Sequence, residues 1–206
     1  MKKKIKLFDP YVGIDEERAL KKTLHSHFWA SGAGTNSVNQ FEKEFKKYVN
    51  SKGCVAVNSG TSALNLALSL TNIKNKEVIV PSLTFVSTVN AIKFNHGIPV
   101  FVDVDLKTGC LSTNNLERLI SKKTKLVLPV HFGGLPCNLK KISEVCKSHN
   151  LHLVEDAAHA AGSSINKKKI GSHGDFVCFS FHPVKNLAMP TGGIISLNDS
   201  NFKKSQ

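Results

Sequence analysis

The chain has 206 residues, 41% hydrophobic and 21% charged, an ordinary globular balance that can bury a sizeable core and excludes disordered or collagen-like classes. No apolar run approaches the roughly 18 residues of a membrane helix, and Met1-Lys-Lys-Lys-Ile-Lys-Leu-Phe-Asp9 has no apolar segment behind its lysines, which argues against a secretory signal. The formal charge of +13 comes from scattered lysine runs (residues 2–4, 122–123, 167–169 and 203–204), with Arg18 and Arg118 as the two arginines; nucleic-acid readers favour the guanidinium fork, so a solvated basic surface with no nucleic-acid and no membrane partner is expected.

The first elements in the chain are two amphipathic stretches of helical period, residues 14–25 and 37–49, around the Gly-rich Trp29-Ala-Ser-Gly-Ala-Gly-Thr35. Residues 1–50 read as a helical approach segment. A short strand at 55–57 then precedes a helix at 62–70. A strand at 77–81 precedes a helix at 84–95, in spite of its β-branched residues. A strand at 98–105 leads to a charged amphipathic helix at 114–122, and a strand at 125–130 to a helix at 139–150. Strands at 151–155, 176–181 and 193–197 complete the pattern. Such alternation predicts an α/β fold, a mostly parallel sheet with helices on both faces, as one domain over residues 51–206.

Parallel α/β sheets bind ligands at the carboxyl ends of their strands, and three polar clusters fall there. Asn58-Ser-Gly-Thr-Ser-Ala63 leaves a strand and opens a helix. Gly60 permits a tight turn, and Thr61 and Ser62 place hydroxyls beside free N–H groups; the cluster suits a phosphate or simple capping by Ser59 or Thr61. Val154-Glu-Asp-Ala-Ala-His159 puts Asp156 at a strand end, either as a satisfied structural carboxylate or as the partner of a buried cation, with His159 three residues on. Phe179-Ser-Phe-His-Pro-Val-Lys-Asn-Leu187 puts Lys185 just after a strand, beside Phe181 and Pro183. A lysine among apolar groups can lose its proton and form a Schiff base, and Ser180 could contact a phosphate.

The five cysteines are widely spaced and include no Cys-x-x-Cys, so reduced thiols and a cytoplasmic location are expected. Cys146 and His149 make the one close Cys/His pair, inside a helix and without a second pair; no metal site is expected. A phosphate cradle, a strand-end carboxylate and a lysine in apolar surroundings together suit pyridoxal 5'-phosphate. The lysine holds the aldehyde, the carboxylate keeps the ring nitrogen protonated and the helix N-terminus holds the phosphate.

Five stretches resemble the DegT/DnrJ/StrS-type sugar aminotransferases, which are fold-type-I pyridoxal-phosphate enzymes. They are Asn58-Ser-Gly-Thr-Ser-Ala-Leu64, Pro81-Ser-Leu-Thr-Phe-Val-Ser-Thr-Val-Asn90, Pro129-Val-His-Phe-Gly133, Glu155-Asp-Ala-Ala-His-Ala160 and Ser180-Phe-His-Pro-Val-Lys-Asn186, followed by Gly192-Gly193. Their order and spacing match over residues 28–199. The resemblance implies that Lys185 is the Schiff-base lysine and proton carrier and that Asp156 pairs with the ring nitrogen. Phe85 would stack on the ring, against the alternative of a core aromatic. Gly60, Thr61, Ser62 and Ser180 would hold the phosphate, and His159, where relatives often carry Gln, would lie near the ring's 3-hydroxyl. A dehydratase branch replaces the lysine with histidine, and Lys185 points away from it.

The implied activity is transfer of an amino group, with glutamate as donor, to a nucleotide-linked keto-sugar in surface polysaccharide or glycan synthesis, by a homodimer. Members of that family carry a further, smaller C-terminal domain, and these residues match the cofactor-binding large domain. The alternative is a non-catalytic cofactor-binding or dimerisation remnant.

Overall fold

The structure is a computed structural model that describes residues 6, 9–27, 29 and 36–199. Phe28, residues 30–35 of the Gly-rich stretch and the lysine runs 2–4 and 203–204 lie outside the described residues. Helix α1, Ile14–Ser26, opens with Asp15, Glu16 and Glu17, where carboxylates meet free N–H groups, and Glu16 accepts from the Gly13 N–H at 2.7 Å. It buries no residue. Helix α2, Asn36–Val49, buries Phe45 and Val49, one turn apart. The sequence groups both helices in one approach segment; packing instead joins α2 to the sheet, because its aromatic stripe meets the β8 end (ring centroids 5.1 Å for Phe45–Phe179 and 5.6 Å for Phe41–Phe181).

The remaining elements are β1 (Gly53–Val57), α3 (Gly60–Ser69), β2 (Glu77–Pro81), α4 (Val86–Phe94), β3 (Ile98–Val102), β4 (Thr124–Val127), α5 (Leu139–Ser148), β5 (His152–Asp156), β6 (Ser164–Ile165), β7 (Lys168–Lys169), β8 (Phe176–Ser180) and β9 (Gly193–Leu197). Seven strands form one sheet in the order β1-β9-β8-β5-β4-β2-β3. β9 runs antiparallel to both neighbours, and the other pairings in the sheet are parallel. This is the α/β fold expected from the alternation. Successive side chains point to opposite faces. Val154, Phe176 and Cys178 therefore join a core under α3 and α4, while Leu153, Val177 and Phe179 join a core under α2 and α5.

Residues 114–122 do not form the expected helix; the chain makes a single 3-10 turn at Glu117–Leu119. Ser121 and Thr124 donate to the Glu77 carboxylate, which anchors the segment to the start of β2 and leaves no length for more turns. β3 and β4 stop at Val102 and Val127, short of residues 105 and 130; Pro129 has no N–H to extend the β4 ladder. The β6–β7 hairpin has no signal in the sequence. Its turn holds Asn166 and Lys167 at φ of 50° and 64°, without the glycine that usually marks such turns.

Candidate active site

β1, β5 and β8 end on the side of the sheet where α3 and α4 begin, and a cavity of about 270 Å³ lies there. Ligand sites run from about 300 Å³ upward, so this one suits a single small ligand. Gly60, Thr61, Phe85, Asp156, His159, Ser180 and Lys185, singled out from the sequence far apart in the chain, all line it. Ser62 is not part of the wall.

At one end the cavity meets the N-terminus of α3. The Ser59 hydroxyl caps the helix by accepting the Ser62 N–H at 3.1 Å, and the Ser62 hydroxyl donates to Asn58 Oδ1 at 2.6 Å. Capping therefore accounts for Ser59 and Ser62. The N–H groups of Gly60 and Thr61, the first two of the helix, have no intrahelical acceptor and stand where an anion would gain most from the helix dipole. Gly60 is not at positive φ, so it is not there for a strained turn. Its role is close approach: a Cβ at this position would sit 2.6 Å from Ser180 Cβ. The missing side chain lets the helix start against the end of β8 and brings the Ser180 hydroxyl beside the free N–H groups.

Asp156, the last residue of β5, is 4% exposed. Its Oδ1 accepts the Ala158 N–H at 3.1 Å, and its Oδ2 accepts the Thr88 hydroxyl at 2.7 Å. No cation bonds to it among the described residues. A nearly buried carboxylate held by two neutral donors, with its remaining acceptor capacity at a cavity, is matched to a ligand that brings a proton or a positive charge.

Lys185 leaves a turn closed by its own N–H to His182 O at 2.8 Å. Burial holds its amine below the ordinary 10.5, and the Asp156 carboxylate opposes that shift in part. Among the described residues its Nζ makes no hydrogen bond. His159 receives the Gly133 N–H on Nδ1 at 3.2 Å. Nδ1 is thus an acceptor, and the ring proton sits on Nε2. Burial first, and then the Lys185 charge, keep the imidazole below its ordinary 6.5, while Asp156 pulls the other way. Phe85 precedes the first turn of α4 and is 72% exposed, which excludes the core-aromatic alternative and leaves its ring free to cover a ligand.

Thr84, Thr88, His182 and Thr191 were not singled out by sequence, and the sequence points to Ser59 only as a helix cap. Ser59, Thr84, His182 and Thr191 line the cavity. Thr88 lies behind Asp156 and accepts from the Thr84 hydroxyl at 2.7 Å. A spacing of four across a helix start was the available signal, since it puts both hydroxyls on one face. Among the described residues no group of three or more His, Cys, Asp or Glu side chains could hold a metal ion, and no helix is long and apolar enough to cross a membrane.

The model of the DegT/DnrJ/EryC1/StrS aminotransferase family matches residues 10–206. The spore coat polysaccharide biosynthesis protein SpsC of Bacillus subtilis (strain 168) is 42% identical over 194 residues, 94% of this chain and 49% of the relative. GDP-perosamine synthase of Escherichia coli O157:H7 is 38% identical over 201 residues, 97% of this chain and 55% of the relative. Among solved structures, the E. coli GDP-4-keto-6-deoxy-D-mannose-3-dehydratase with bound hydrated PLP is similar with a TM-score of 0.88 and 27% identity, over 94% of this chain and 51% of that one. The chain spans about half the length of the curated relatives it matches.

Proposed function

From the premise that the chain belongs to the DegT/DnrJ/EryC1/StrS aminotransferase family, we propose that residues 51–206 form the pyridoxal-phosphate-binding domain of an aminotransferase acting on a nucleotide-linked keto-sugar. Glutamate is the amino donor in this reading, and the aminated sugar feeds surface polysaccharide synthesis in the cytoplasm. The observation that carries the reading is the meeting of Lys185 and Asp156 in one cavity at the N-terminus of α3.

The residues present fit the cofactor. Asp156 is a buried carboxylate with no cationic partner among the described residues, suited to a protonated ring nitrogen. Gly60 and Thr61 offer N–H groups, and Ser180 a hydroxyl, for a phosphate. When bound, pyridoxal phosphate supplies an aldehyde that captures amines and a ring that draws electrons from the reacting carbon. Lys185 would hold that aldehyde at rest, and its amine, already disposed to lose a proton, would carry a proton from the substrate carbon to the cofactor carbon that receives the amino group. Asp156 keeps the proton on the ring nitrogen. His159 would offer its Nε2 proton to the ring oxygen, and Phe85 would cover one ring face against water. A lysine at position 185 supports transamination over the dehydration carried out by the similar E. coli protein.

Borohydride reduction of the protein loaded with pyridoxal phosphate, followed by peptide mapping, should place the pyridoxyl group on Lys185. A label on another lysine would sink the assignment, and absence of a visible chromophore would favour the non-catalytic remnant. We also propose a homodimer. Its support is the exposed apolar set Ile14, Leu20 and Leu24 of α1, with Trp29 at 70% exposure beyond it, more than an isolated surface helix needs. Sedimentation at micromolar concentration should show a dimer, and monomer alone counts against it.

A further inference from the structure

We propose that Thr88 is a positioning residue for Asp156, and that Thr84 fixes the direction of the hydrogen bond between them. The inference rests on the pyridoxal-phosphate reading and adds to it two residues that act through Asp156: Thr88, which does not line the cavity, and Thr84, which holds Thr88. Thr88 is fully buried on the first turns of α4, and its Oγ1 lies 2.7 Å from Asp156 Oδ2. An ionised carboxylate accepts and does not donate, so the Thr88 proton points at Asp156. The Thr84 hydroxyl, 2.7 Å away, donates to Thr88 Oγ1 and occupies its acceptor side. The three groups form a one-way chain, Thr84 to Thr88 to Asp156, in which each bond polarises the next.

The geometry separates this chain from ordinary helix capping. The bond joins residues 68 positions apart, on different elements. The two Asp156 oxygens receive one donor each, Ala158 N–H at 3.1 Å and Thr88 at 2.7 Å, and together these fix the carboxylate plane. With 4% exposure and no bonded cation among the described residues, Asp156 depends on these donors to hold its orientation. The same stretch carries Phe85, the residue before α4. One helix start thus sets both the group over the ring face and the orientation of the group at the ring nitrogen.

The test is a titration of pyridoxal phosphate into the cofactor-free chain, read by visible absorbance, for a double-mutant cycle of Thr88→Val and Asp156→Asn. A hydrogen bond to a charged group supports about a tenfold or larger loss of affinity in Thr88→Val. Thr88→Ser, which keeps the hydroxyl, should bind like wild type, and Thr84→Val should show a smaller loss. In the Asp156→Asn background, Thr88→Val should change affinity by less than about twofold, since the two act as one unit. Equal losses in both backgrounds, or a Thr88→Ser variant as weak as Thr88→Val, would mean that Thr88 acts through packing and would overturn the proposal. If Thr88→Val does not fold, Thr84→Val decides: wild-type affinity in that variant overturns the chain. Failure of wild type to bind pyridoxal phosphate removes the cofactor reading itself, an outcome distinct from unchanged affinity in the variants.

Discussion

Glu155 and Asp156 are consecutive carboxylates on β5, both buried, and they point to opposite faces of the sheet. Glu155 lies on the face under α2 and α5, where each carboxylate oxygen has a partner from the fold and the side chain does not line the site cavity. His131 Nε2 is 2.8 Å from its Oε2, the Gly174 N–H donates to its Oε1, and both side chains are fully buried. His131 is itself fixed, because its Nδ1 accepts the Cys137 N–H at 3.1 Å, which makes Nε2 the donor to Glu155. Gly174 permits the contact, since a Cβ there would meet Glu155 Oε1 at 2.7 Å. Asp156 is held by neutral donors on one side and faces a cavity on the other. A buried carboxylate closed by its own protein serves the fold, and one left partly open at a cavity is available for chemistry.

The comparison breaks if the two carboxylates respond alike to mutation. The largest effect is expected at Asp156. Asp156→Asn should slow the single-turnover reaction of the loaded protein with glutamate by about a hundredfold or more, the scale of losing a preorganised electrostatic partner, while its melting temperature stays near wild type. A near-normal rate would contradict the role of Asp156. Glu155→Ala should do the reverse, because it strands His131 and the Gly174 N–H in the core. Leaving a buried neutral donor unsatisfied costs about 1–3 kcal/mol, measurable by denaturant unfolding. A loss below about 1 kcal/mol, the level of an exposed pair, would show that the network is not closed.

A smaller effect sharpens the cavity side of the contrast. His159 titrates below its ordinary 6.5 because burial and Lys185 disfavour its charged form. At higher pH the folded and unfolded chains both hold it neutral. As pH falls through 6.5, the unfolded chain takes up the proton first, and the folded state loses stability. His159→Gln should therefore lose less melting temperature than wild type between about pH 7.5 and about pH 5.5. Equal losses would show that burial in the cavity does not govern this imidazole.

Elements with clean periodicity are legible in the residues themselves. The run Glu77-Val-Ile-Val-Pro81 and the apolar stretch 176–181 hold as β2 and β8, because strands buried on both faces read as short apolar runs. The charged stretch 114–122 carries a helical pattern but is overridden by Ser121 and Thr124 binding Glu77, more than forty residues earlier. The β6–β7 hairpin escapes notice because Asn166-Lys167 adopts a turn without the usual glycine. At the site, a carboxylate and a lysine near strand ends are readable from chemistry and position. Thr88 is not, because a buried threonine in an apolar helix reads as packing.

The sequence by itself determined the α/β class and the residues able to carry the chemistry, since run length, strand ends and residue type are local properties. It also set Glu155 and Asp156 on opposite faces, because side chains alternate along a strand. Only the tertiary structure decided which of the two is closed, that Gly60 serves close approach to Ser180 and not a turn, that Ser62 caps while Thr61 lines the cavity, and that Thr88, held by Thr84, stands behind Asp156. The physical reason is that satisfying a buried polar group requires a donor at hydrogen-bond distance, and here the decisive donors come from elements tens of residues away, where no local period records them.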